Sequence, residues 1–577
     1  MRPRITVFII LLVFASLLFN AMGTGAQSRR RVSLLIIHGK VFTGDARGTI
    51  AEAVAVNDDR IVAVGTDAEI TSRYRGDRVI DLGGKLMTAG FNDAHLHFMN
   101  GGFSLMRVNL NGSRTLDEAL QRIAAKAREL APGAWILGRG WDHTLWGGRW
   151  PTRADLDRVA PNNPVFVQRV DGHVSWVNSL ALQKAGITQE TQSPAGGEIM
   201  RDERGEPTGI LKETAAALVS RVVPEPTQEE KMQAIERALG EARRYGLTSI
   251  QDNSGYETTK LYRELLRQGR LTVRVAEWQN FEDSIEEIKR QREEFRSFND
   301  DSSRLKLTAL KGYVDGTLGS RTAAMLAPYS DDPNNSGIPR HTPEDLTRMI
   351  VERAKAGFQI ALHCIGDRAN RMALDGFQAA ESQPNPFQNI YIGSLRNMPL
   401  DLYHRHRIEH AQVVAPSDFP RFRDLHVVAS MQPSHAISDK RWAQARLGEY
   451  RVQGAYAWHT MMSFGVHVPF GTDWPVEPIN PYLGLYAAVT RESTDGQPAG
   501  GWWPQERISI EDAIRNYTAE AAYASFDENL KGQIKAGMLA DFTVHSQDLL
   551  TIRPEEIFKT EAMMTILGGK VVYQRGQ

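Results

Sequence analysis

The stretch GFNDAHLHF, Gly90 to Phe98, closes an apolar run with histidines at positions 95 and 97. Residues two apart on an extended strand share a face, so both imidazoles would leave side by side. That suits two ligands of one metal ion. Taken alone, the pair is better explained as two polar residues at a strand end. What decides is whether ligand-type residues also close other strands.

Working outward, eight short apolar runs follow one another: GKLMTAGFNDAHLHF, GLTSIQDN, LTVRVAEWQ, LKLTALKGYVDG, GFQIALHCIGD, HRIEHAQ, HVVASMQPSH and GVHVPFGTDWP. Helical stretches separate several of them. TQEEKMQAIERALGEARRYG, for example, opens on Thr227 with Glu229 and Glu230 and stops at Gly246. Alternation of eight strands with helices predicts a (β/α)8 TIM barrel within 88–529. The first connection, roughly 140 residues, is too long for a simple crossover and predicts an inserted lobe at 101–240. Both chain ends are rich in short strands and turns, which predicts a small β-sandwich subdomain from 32–87 and 530–577.

Composition narrows the function classes. A formal charge of −1 on 577 residues gives no electrostatic case for nucleic acid or an anionic surface. The single cysteine, Cys364, excludes an internal disulfide and any Cys-rich zinc cluster. Beside His363 it would face the other side of an extended strand, as a core residue. At the N-terminus, MRPR, an apolar run from Val7 to Phe19 and the small residues GTGA have the layout of a secretory signal peptide, residues 1–26. The run is short for a membrane span, which needs about 20 residues. The expected location is therefore exported, periplasmic or secreted, with an uncleaved anchor as the alternative.

The ends of the eight runs can now be compared. The first closes on His95 and His97, the fourth leads to Lys311, the fifth to His363, the sixth to His410 and the eighth to Asp473. In a barrel these ends meet at the C-terminal mouth, where barrel enzymes place their active sites. Lys311 is the odd member, because an ammonium has no lone pair to give. Read alone it is better explained as the partner of Asp315. Conversion by carbon dioxide to an anionic carbamate is the functional alternative.

HLH, a strand-end lysine, single histidines on the next two strands and a final aspartate resemble the metal-dependent amidohydrolase superfamily. The strings GRGWDHTLW, RVDGHVSWVNSLAL, DGTLGSRTA, RIEHAQ, MQPSHAISD and GTDWPVEPINP narrow the likeness to its amidohydrolase-3 branch, which includes N-substituted formamide deformylases. The likeness runs from about Leu34 to the C-terminus. It implies that His95 and His97 bind the more buried metal, that carbamylated Lys311 bridges, and that His363 and His410 bind a second ion. Asp473 would touch the first metal and serve as general base. One or two divalent ions are implied, zinc first, with manganese, iron or cobalt as alternatives. The resemblance also implies a sandwich built from both termini and a homodimer.

Specificity is expected from loops and the lobe. Trp141, Asp142, His173 and Asn178 are the lobe's candidates for substrate binding, joined by Arg321, His435 and Trp474. Trp141, Trp146, Trp150 and Trp176 fit a small-molecule pocket and a packed lobe core equally well. The expected function is an exported hydrolase cleaving a C–N bond of a small N-substituted substrate with metal-activated water. Ester hydrolysis, deamination or decarboxylation on the same metals is the alternative. A non-catalytic small-molecule binding protein is the third reading.

Overall fold

Seven strands form one parallel sheet in chain order: β1 (Phe91–Leu96), β2 (Leu247–Asp252), β3 (Arg274–Asn280), β4 (Leu305–Tyr313), β5 (Gln359–Cys364), β6 (Arg407–His410) and β7 (Val428–Ser430). The computed structural model describes residues 29–169, 174–194, 196–299, 301–382 and 405–576, so the expected signal peptide and His173 lie outside it. The eighth run, 466–470, closes the ring without a regular ladder, since Pro469 has no N–H to give. It is stitched on both sides instead. Ala429 N–H donates to His467 O and Met431 N–H to Pro469 O, while Ala94 N–H donates to Phe470 O. The result is a TIM-type barrel.

Two helices frame the first crossover, α1 (Phe98–Met106) directly after β1 and α2 (Gln228–Arg244) before β2. Thr227 and Glu230 form a reciprocal capping box at the start of α2, and the chain turns at Gly246 with φ 82°. The two helices lie close together. A Cβ on Gly102 of α1 would overlap the Ala234 backbone of α2, so glycine sets their separation. Both are thus barrel helices, and the inserted lobe lies between them. Its own six-stranded sheet runs from Val108–Asn109 to Pro207–Glu213 around a core that includes Leu120, Trp141, Val165, Trp176 and Ile210.

The chain ends meet in one sheet. Phe542–His545 pairs antiparallel with Leu86–Ala89, which pairs in turn with Lys40–Phe42. A second sheet of four strands, built from residues 30–81, covers it over a core that includes Leu34, Val54, Met87, Phe542 and Ile566. This sandwich is anchored to the barrel by a buried bidentate pair. Arg274, at the start of β3, donates from Nε and Nη2 to Asp541 at 2.7 and 3.0 Å.

Candidate metal centre

Strand alternation decides what reaches the barrel interior. On β4, Ala309, Lys311 and Tyr313 share the inner face, with Ala309 packed against Trp278 of β3 and Ala361 of β5. On β6 the inner residues are Arg407 and Glu409, joined at 2.7 Å and fully buried. Simple alternation would then send His410 outward. It sits instead at φ 75°, which turns its ring back to 4.5 Å from the His363 ring and 5.0 Å from that of His95. Asp473 also lies in the left-handed region, at φ 56°. Each such residue costs about 1–3 kcal/mol, and such strain collects at functional sites.

The tautomers are set from behind. His95 Nδ1 lies 2.6 Å from Glu409 Oε2, His97 Nδ1 lies 3.2 Å from Asn253 O, and His410 Nδ1 lies 2.7 Å from Gln432 Oε1. In each case Nδ1–H donates to an acceptor, which fixes the proton on Nδ1 and leaves a lone pair on Nε2. His363 is the reverse, its Nε2–H donating to Gly316 O at 3.1 Å and leaving Nδ1 free. The free nitrogens converge. His95 Nε2 and His97 Nε2 lie 3.4 and 3.2 Å from Asp473 Oδ1, and His435 Nε2 lies 3.6 Å from Asp473 Oδ2.

Lone pairs thus face lone pairs across a buried space. Asp473 Oδ1 and His435 Nε2 have no hydrogen-bond partner. Two sets, His95–His97–Asp473 and His410–His435–Asp473, bring their donor atoms within 4.8 Å of one another. A cation between them is the arrangement that satisfies all of these atoms. Charge agrees. Burial, then the Lys311 charge, pushes His363 down to about 3, and burial with His363 pushes His410 well below its ordinary value. Neutral imidazoles beside an ionised carboxylate are the ligand forms a metal requires.

Lys311 is buried with Nζ 3.3 Å from His95 Nε2. The expected pairing with Asp315 is corrected. Asp315 accepts from the N–H groups of Ala324, Ile365 and Gly366 at 2.8–3.0 Å, and Lys311 has no ion-pair partner among the described residues. Burial lowers the Lys311 pKa to about 8. Cys364 is fully buried in the core, as its place after His363 predicts.

The expected substrate-binding residues divide. His435 stands in the centre itself. Trp141 is corrected to lobe core, fully buried with its indole N–H on Val167 O at 2.9 Å, and Trp146, Trp150 and Trp176 pack with it. Asp142 caps the turn His143–Trp146 and pairs with Arg169 at 2.7 Å. Asn178 is likewise structural. Its Oδ1 accepts from Val165 and Ala181 N–H and its Nδ2 donates to Ala160 O and Asn163 O, which leaves nothing for a ligand. Arg321 is committed to Asp331 at 2.9 Å, and Trp474 lies buried against Gly101 and Phe98 of α1.

Sequence reasoning missed Asp93, Asn253, Arg407, Glu409 and Gln432. Asp93 lies two residues before His95 on β1. It accepts from His95 N–H, Thr472 N–H and Thr472 Oγ1–H, tying β1 to the loop that carries Asp473. Glu409 carried a signal, since two opposite charges two apart on a short strand must share a face.

The amidohydrolase family profile matches residues 78–573. The chain is 33% identical over 560 residues to Protein LONG AFTER FAR-RED 3 of Arabidopsis thaliana, covering 94% of this chain and 91% of that protein. It is 28% identical over 554 residues to N-substituted formamide deformylase of Arthrobacter pascens, covering 94% and 98%. The crystal structure of an uncharacterized metal-dependent hydrolase from Pyrococcus furiosus superposes with a TM-score of 0.72 at 29% identity, covering 90% of this chain and 100% of that one.

Proposed function

The chain belongs to the amidohydrolase family, and from that premise we propose that it hydrolyses the C–N bond of a small N-substituted, formamide-like amide at a divalent metal centre. The observation that carries this reading is the lone-pair convergence of His95 Nε2 and His97 Nε2 on Asp473 Oδ1. His95, His97 and Asp473 would hold one ion. His363 Nδ1 and His410 Nε2 would hold a second, with Lys311 as a bridging carbamate. The low pKa of Lys311 supports this, because only the neutral amine adds to carbon dioxide. Imidazole and carboxylate donors suit zinc best. Such an ion, when bound, supplies Lewis-acid polarisation of a carbonyl and makes water more acidic.

The chain's own groups do the rest. Asp473, ionised and held between histidines, takes the proton of the attacking water and returns it to the departing amine. Glu409 keeps His95 in one tautomer, and Arg407 keeps Glu409 ionised. Burial pushes the Glu409 carboxyl up, yet the Arg407 charge and the His95 hydrogen bond hold it at about 2. The similarity to an N-substituted formamide deformylase supports the substrate class. The apolar run Val7–Phe19 supports export, which N-terminal sequencing of the mature protein would test.

Metal analysis with a hydrolysis screen over N-formyl amines, N-acyl amino acids and simple esters tests the reading. Zinc-loaded protein is expected to release amine, with Asp473→Asn lower in kcat by at least about 10²-fold, the usual scale of general-base catalysis. Reconstitution of metal-free protein is expected to need bicarbonate, and Lys311→Met to fail to regain activity with or without it. Activity confined to esters would sink the amide assignment. Metal-free protein with an unaffected Asp473→Asn variant would sink the hydrolase reading altogether.

A further inference from the structure

Resting on the hydrolase reading, we propose that the Tyr313 hydroxyl is a catalytic group that donates a hydrogen bond to the substrate's carbonyl oxygen as that oxygen becomes anionic. Tyr313 follows Lys311 by two residues on β4, so it enters the same interior face one layer nearer the mouth. It is in register with His363 on β5, and the two rings stand 5.4 Å apart. Lys311 Nζ lies 5.0 Å from the phenol ring centroid. The phenol therefore stands beside two of the candidate ligands, His363 and Lys311.

Its hydrogen-bonding state is the second argument. Asn253, on the loop after β2, donates from Nδ2 to the Tyr313 hydroxyl oxygen at 2.9 Å. The same residue's backbone carbonyl accepts from His97 Nδ1. One lone pair of the phenol is thus used, while its O–H proton has no acceptor among the described residues. A phenol keeps that proton at neutral pH. The O–H bond stays intact: the group donates a hydrogen bond, and the proton that reaches the leaving amine still travels through Asp473. The ring is braced from outside by the Arg340 guanidinium, 5.3 Å from its centroid. A donor fixed before the reaction and aimed at developing charge acts without reorganisation cost, and loss of one such donor typically lowers kcat by about 10²–10³-fold.

The test compares Tyr313→Phe, Asn253→Asp and Asn253→Leu with the wild-type holoenzyme on the best amide found in the screen. Tyr313→Phe is expected to keep metal content and melting temperature, to lose about 10²–10³-fold in kcat and to change KM little. A phosphonate analogue of the tetrahedral species should bind it more weakly by calorimetry, by a similar factor. Asn253→Asp should approach the same loss, because its carboxylate would capture the phenol proton. Asn253→Leu, which leaves the proton free but no longer fixes the hydroxyl, should lose less. An active wild type matched within threefold by Tyr313→Phe, or unchanged phosphonate binding, overturns the assignment while sparing the hydrolase reading. A wild type inert toward every carbonyl substrate overturns both.

Discussion

The charge on Glu409 reaches the metal ligands through a single hydrogen bond, 2.6 Å to His95 Nδ1, with Arg407 behind it. Glu409→Gln keeps the shape and removes that charge. Metal affinity is expected to fall about 10–100-fold, the usual effect of such an outer partner, measured by chelator competition. A second buried histidine serves stability instead. His545 lies between Thr88 Oγ1 at 3.0 Å and Tyr482 Oη at 2.8 Å, and burial lowers its pKa to about 3. An unfolded histidine titrates near 6.5. Between about 3 and 6.5 the unfolded chain therefore binds the extra proton, so stability is full above that range and falls as pH drops through it. Each unit costs up to about 1.4 kcal/mol. Urea melts at pH 7.5, 5.5 and 4.5 should show a shallower decline for His545→Gln than for the wild type.

Among the elements, α1 is held tightly on two sides. A Cβ on Gly101 would overlap the Trp474 ring, and one on Gly102 the Ala234 backbone. Gly102→Ala is expected to cost about 1–3 kcal/mol by overpacking, visible as a lower melting temperature. Because α1 begins directly after His97 and Trp474 follows Asp473, Gly101→Ala should lower metal affinity as well. The barrel was legible in the sequence because its strands are short, apolar and in chain order, with polar residues at their ends. Lys311, His363 and Asp473 could be picked out for that reason. His410 stands out by its place at a strand end, although its orientation depends on a backbone turn that alternation does not predict. The lobe's tryptophans were not legible, since residue type is the same in a pocket and a core. Asn178 misled for a similar reason, its hydrogen bonds being spent on neighbours the sequence does not reveal. The eighth strand was read correctly as a run, yet Pro469 keeps it out of a regular ladder.

At the scale of the molecule, barrel and sandwich are joined through a buried charge pair. Removing one partner of such a pair leaves the other uncompensated, so Asp541→Ala is expected to cost about 3–5 kcal/mol in denaturant unfolding. Arg274 and Asp541 lie on the side of the barrel opposite the strand ends that carry the candidate ligands, and metal content should be unchanged in the folded variant. The shared sheet has a further consequence in the order of synthesis. Leu86–Ala89 leaves the ribosome early, but its antiparallel neighbour begins only at Phe542. Until then one edge of an apolar strand stays open to other chains. A chain cut short between Asp473 and that residue would carry the complete set of candidate ligands with an unsealed edge, the kind of edge that pairs with other chains. Pairing by Phe542–His545 thus completes the sheet and covers that edge at once.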